Sequence, residues 1–269
     1  MKKLWIAIVA LAMATIACQN KQTAANETEN AADTTAWYEN DSLLQADLAA
    51  AIEDAKQLDS SKISNDLMPI KKGTPGEEWA TIDGKDMVLV VTLVDSSRLA
   101  RFFGQEGVYR IDRELGSWVS LPGDWQRKKD AFVGLDSVAA HMRMIQMYGL
   151  SPDCDYNIMV QFYADPAYIF RPAHTPEINT TAAGLEFPAY ADEKFKVGET
   201  NFREWYRLSV ASAFEDDSPL PWTQLGYTYD WHHGANRVGV SEYIVTHQSL
   251  VKVKSHESEW QFIQNLLKP

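Results

Sequence analysis

Met87-Val88-Leu89-Val90-Val91-Thr92-Leu93-Val94 decides the fold. A strand with one wet face alternates apolar and polar residues, and this run does not alternate. It predicts a central strand with both faces dry, so other elements must pack on each side. Just upstream, Asp83-Gly84 reads as a tight turn that folds Trp79 to Ile82 back against the run. Further upstream, Leu44, Leu48, Ile52, Ala55 and Leu58 recur every three or four residues from Asp41. That spacing predicts an amphipathic helix over about 41–60, capped by Asp41 or Ser42.

Downstream, Val108 to Ile111 and Trp118 to Leu121 read as short extended pieces, and Gly123 to Lys129 reads as a polar loop. A helix follows, capped by Asp136 or Ser137, with Val138, His141, Ile145 and Tyr148 on one face and Gly149 just past its end. Asn157 to Tyr163 reads as a strand. Pro166, Pro172 and Pro176 predict a loop, because each lacks an amide donor and restricts the residue before it. Phe202, Trp205, Tyr206 and Ser209 predict another helix. Leu225 to Trp231, Val238 to Thr246 and Ser249 to Lys254 read as antiparallel strands. A closing helix spans Glu257 to Leu267, with Trp260, Ile263 and Leu267 as its buried stripe. No repeat of solenoid or propeller period is present. The class is α+β: a mixed, mainly antiparallel sheet with packed helices in one compact domain.

The first residues carry an address. Lys2 and Lys3, the apolar Leu4 to Ile16, then Ala17 and Cys18 have the order of a bacterial export signal. An apolar run of ~13 residues spans roughly 20 Å as a helix, short of the ~30 Å hydrocarbon core. Thr15-Ile16-Ala17-Cys18 resembles a lipobox, which would make Cys18 the lipidated first residue of a lipoprotein carrying palmitate-like chains. We therefore expect a signal peptide over 1–17, a flexible tether over 18–36 and a single domain over 37–269. The tether lacks large apolar side chains and has a root-mean-square reach of roughly 23 Å. The expected location is the cell envelope, lipid-anchored, at the outer membrane facing the periplasm or the cell surface.

Charge narrows the partners. The 269 residues carry a net charge of −12, and −14 once Lys2 and Lys3 are removed. The only dense basic run, Arg127-Lys128-Lys129, is flanked by Asp124 and Asp130. Neither nucleic acid nor an anionic lipid surface is an expected partner; membrane contact is expected through the anchor at Cys18. With Cys18 acylated, Cys154 has no cysteine left to pair with. Its neighbours Asp153 and Asp155 disfavour the thiolate, which argues against a nucleophile.

Two segments concentrate chemistry. Tyr227, Tyr229 and Trp231 alternate with Thr228 and Asp230, so a strand sets the three rings on one face, with Trp222 and Tyr243 as neighbours. Exposed, the row would stack sugar rings or aromatic ligands; buried, it is one layer of a core. His232, His233, Asp230 and Glu242 could serve a metal or acid–base catalysis, but successive strand residues point to opposite faces. The second segment is Phe170-Arg171-Pro172 with His174, Pro176 and Glu177, a rigid polar loop. Arg171 there either contacts a ligand or holds the loop by pairing with Glu177 or Asp165. His141 reads as a hydrogen-bonded core histidine. The candidate ligand contacts are Tyr227, Tyr229, Trp231 and Arg171. The catalytic nominees are Asp230, His232, Glu242 and Glu177. No metal site is expected, with His232 and His233 as the only nominees, and no cofactor. Gly239-Val240-Ser241 lacks the second glycine of a nucleophile elbow, and no phosphate loop is present.

Phe170-Arg171-Pro172, Pro176-Glu177, Pro221-Trp222-Thr223, Gly226 to Trp231 and Val238 to Tyr243, taken as a set, resemble a family of uncharacterised bacterial secreted proteins and lipoproteins over roughly 87–254. The resemblance implies one folding unit and no particular activity. The favoured expectation is a non-enzymatic envelope module that binds a protein or glycan partner. The alternative is an envelope hydrolase, with or without the assistance of a metal, built on Asp230, His232, His233 and Glu242.

Overall fold

A computed structural model describes residues 36–215 and 217–268. The expected signal peptide, Cys18 and all of the tether except Ala36 lie outside the described residues. In chain order the helices and strands are α1 (Asp41–Ala55), β1 (Trp79–Ile82), β2 (Lys85–Val94), α2 (Ser96–Phe103), β3 (Tyr109–Arg110), β4 (Ser117–Val119), α3 (Pro122–Lys128), α4 (Ser137–Tyr148) and β5 (Ile158–Ala164). They continue as β6 (Ile169–Phe170), β7 (Lys196–Val197), β8 (Thr200–Asn201), α5 (Phe202–Phe214), β9 (Tyr227–Tyr229), β10 (Val238–Ser241), β11 (Tyr243–Val245), β12 (Leu250–Ser258) and α6 (Glu259–Leu266). The fold is α+β, and every pairing between these strands is antiparallel.

The dry strand holds the main sheet, ordered β1-β2-β5-β12-β3. Met87 to Val94 are all buried, and the pleat divides them. Val91 and Leu93 pack with side chains of α1, α3, α4 and α6. Val88, Val90 and Val94 face the other way, onto Phe103 of α2 and onto Val119, Ile169, Tyr243 and Val245 of a smaller sheet ordered β4-β11-β6. Helices thus cover one face of β2, and α2 with a second sheet covers the other.

Several boundaries differ from the sequence reading, each for a local reason. Asn40, not Asp41 or Ser42, caps α1 by accepting from the Leu43 amide, and the helix stops at Ala55, leaving Leu58 outside it. The expected polar loop after Gly123 is instead α3, which starts on Pro122 at its first position and buries Trp125. In α4 the cap is Asp136 and Gly149 takes the left-handed conformation at φ 70°, but the buried side is built from Ala140, Met144, Ile145 and Met147, and Val138 is exposed. The last helix buries Phe262, Ile263 and Leu266, a stripe shifted from the expected one.

The expected strand Val238 to Thr246 is two strands in two sheets. β10 pairs with β9, β11 pairs with β4 and β6, and Glu242 is the residue at the switch, its amide donating to the Gly226 carbonyl at 3.1 Å. Glu242 shares its side of the chain with Ile244, which packs against Phe170, Phe202, Trp205 and Trp222. The break in strand register therefore sends a carboxyl group into an aromatic layer.

Candidate functional site

The segment richest in chemical residues turns out to be internally satisfied. Tyr227 and Trp231 are buried, and Tyr229 is half-buried. Each ring has its polar atom tied down: Tyr227 Oη donates to the Lys62 carbonyl, Tyr229 Oη to Asp54 Oδ2 and Trp231 Nε1 to the Leu150 carbonyl. The rings do not form an exposed stacking row: Tyr227 and Trp231 belong to the core, Tyr229 packs at its edge, and each polar atom has a protein acceptor.

Asp230 is buried and holds Arg143 of α4 through two hydrogen bonds, 2.8 and 2.6 Å. His232 Nδ1 lies 2.9 Å from Gln146 Oε1, and its ring meets Trp37 edge-on. Burial, and then Arg143, depress its pKa, so it is neutral at pH 7. His233 is exposed and lies 3.2 Å from Asp47. The two histidines diverge, and among the described residues no three His, Cys, Asp or Glu side chains are placed to hold one ion. The grouping nominated for hydrolysis is not assembled.

Arg171 is 0 % exposed and, among the described residues, forms no ion pair with a carboxylate. Its guanidinium donates to the carbonyls of Glu177, Thr180 and Gly226 and to Tyr243 Oη, and lies over the Tyr243 ring. It is a bracket for the proline loop, and Gly226 is needed beside it: φ is 79° and a Cβ there would sit 2.5 Å from Arg171 Cδ. Glu177 serves Arg171 through its backbone oxygen, and Asp165 pairs with Lys85 instead. His141 is half-buried and bonds to Glu259 of α6, which raises its pKa, a hydrogen bond across two helices rather than a core histidine alone. Burial, with Asp155 adding to it, raises the Cys154 thiol pKa.

Glu242 lies elsewhere, on the wall of a cavity of about 350 Å³. The cavity is bounded by α5, the turn Pro221 to Thr223, the start of β4 and the end of α4 at Gly149 and Leu150. Trp118, Trp205 and Trp222 form one wall, with ring centroids 5.7 to 6.0 Å apart. Trp205 Nε1 is spent on the Leu115 carbonyl and Trp222 Nε1 on Glu242 Oε1 at 3.2 Å. Burial raises the Glu242 pKa to about 8, an effect that the Trp222 hydrogen bond and the charge of Arg171 only partly offset. At neutral pH this carboxyl is protonated and keeps an O–H to donate.

The mouth is apolar. Leu115, Trp118 and Leu208 are 62, 37 and 53 % exposed, and all three line the opening. Arg98 and Arg113 supply its cationic side. Among the described lining residues Glu242 is the only acid and no histidine is present. Glu242 can therefore lend one carboxyl proton to the cavity, whose other neutral titratable groups among the described lining residues are the hydroxyls of Tyr148, Tyr156 and Tyr229. Sequence reasoning nominated Glu242 and set Trp222 beside the aromatic row, but missed Arg98, Arg113 and Trp118. Their separation along the chain left no spacing to read.

The chain matches no protein-family model, no curated protein and no solved structure.

Proposed function

We propose that this chain is a lipid-anchored, non-enzymatic binding module of the cell envelope, attached through Cys18, and that it takes its ligand into the tryptophan-walled cavity. The supporting observation is a cavity of about 350 Å³ whose mouth gathers three exposed large apolar side chains, Leu115, Trp118 and Leu208. Volumes of roughly 300–1,000 Å³, apolar walls and a few directed polar groups are what small-ligand sites share. A small molecule fits this space, and so does a single ring or side chain presented by a glycan or protein partner. The Tyr227 to Trp231 row supports the site from behind, since Tyr229 lines the cavity while its hydroxyl is held by Asp54.

The test has two arms. Native mass spectrometry of protein purified from its own membranes should reveal a bound species that Trp118→Ala loses and that Ser212→Trp, on the α5 lip, displaces. Retention by both variants would refute the cavity. Cys18→Ser should move the protein from the membrane fraction to the soluble fraction, and the purified native protein should carry acyl chains. A soluble, unacylated native product would end the anchor proposal and leave the cavity proposal standing.

A further inference from the structure

On the cationic side of the cavity one of the two arginines, Arg113, has no carboxylate partner among the described residues. Arg98 pairs with Asp95, which caps α2, and lies over the Tyr156 ring at 4.6 Å. Arg113 lies over the Phe102 ring at 5.4 Å, its backbone carbonyl accepts from the Gly116 amide, and among the described residues its guanidinium makes no hydrogen bond and no ion pair. A guanidinium stacked on a ring presents its N–H edge outward, and that edge suits a planar or tetrahedral anion. Burial lowers the Arg113 pKa; the Tyr156 side chain acts against this, and the charge of Arg98 adds a smaller lowering. Both guanidinium groups line the same half-buried wall, and only that of Arg98 has a carboxylate partner among the described residues, in a chain of net charge −12. Glu242 does not neutralise them, since the cation that acts on it is Arg171. An unpaired, partly desolvated cation costs stability unless something else pairs with it.

We propose that the ligand is a small amphipathic organic anion, with its carboxylate, phosphate or sulfonate head against Arg113 and Arg98 and its apolar body on Trp118, Trp205 and Trp222. This rests on the cavity being the binding site. The apolar lip at Leu115 and Leu208 admits the body, and Arg113 sets the orientation. Glu242, on the same lining, offers a donor to an acceptor atom on the body.

Fluorescence titration of the full chain with two probes tests the inference: 8-anilinonaphthalene-1-sulfonate and its neutral counterpart N-phenyl-1-naphthylamine. The sulfonate should bind at least about tenfold tighter, the scale of one charge-assisted hydrogen bond. Arg113→Met and Arg113→Gln should erase that advantage and leave the neutral probe unchanged, while Trp118→Ala weakens both. Equal binding of the two probes, or a sulfonate advantage that survives both Arg113 variants, would overturn the anion and leave the cavity standing. Displacement of the sulfonate by excess inorganic phosphate alone would overturn the amphipathic body. Failure of both probes to bind, or indifference of both to Trp118→Ala, would sink the cavity and the anion together.

Discussion

Two regions of this molecule hold arginine near aromatic rings, and they use it in opposite ways. Around Tyr227 to His233, each buried polar group has a named acceptor or donor: Asp230 holds Arg143, and the ring hydroxyls and indole find Lys62, Asp54 and Leu150. Around the cavity, the Arg113 guanidinium meets the Phe102 ring and, among the described residues, no carboxylate, and three large apolar residues stay in water. A satisfied network specifies a structure, whereas unspent groups that converge on a cavity leave room for something from outside. Density of chemical residues along the chain pointed to the first region. The second is where ligand chemistry remains open.

The largest effect should come from the satisfied side. Asp230→Ala leaves Arg143 buried without its carboxylate and should lower unfolding stability by about 3–5 kcal/mol in urea titration. Arg113→Met should change it by only about 0.5 kcal/mol or less, because no buried carboxylate loses a partner and the methionine keeps an apolar contact with the Phe102 ring. Similar losses for the two would erase the contrast.

Glu242 is next. Its folded pKa, about 8, stands above the 4.5 of an ordinary glutamate, so its linked stability is fully present below pH 4.5 and is lost as pH rises to about 8. Glu242→Gln should flatten that decline and be the more stable form above pH 8, read by thermal unfolding across pH. A variant with the same slope as the parent would show that the carboxyl is not the source. Smaller still, His141 has a folded pKa raised by Glu259, so its contribution holds below about pH 6.5 and fades as pH rises through the folded value. His141→Gln should remove this shallow component and leave the Glu242 component intact.

Much of the fold was legible because it rests on local patterns. β2 declared itself by unbroken apolarity, and α4 by Asp136 at one end and Gly149 at the other. α3 was hidden because Pro122 and Gly123 usually punctuate loops, and only the burial of Trp125 in the assembled core shows why the segment turns helical. The break at Glu242 was hidden because Val238 to Thr246 reads as one strand, although a lone acid among Val240, Tyr243 and Ile244 was a visible anomaly. The cavity was the least legible feature. It draws on residues from Thr92 to Glu242, and no short window contains even two of its three tryptophans. Conversely, His232 and His233 looked like a pair only because they are consecutive.

The main sheet ends on strands of four and two residues, β1 and β3. A free border so short gives a neighbouring chain little backbone to template on, which guards against runaway association of copies. Molecules crowded side by side would meet through side chains, and their density could rise without seeding fibrils.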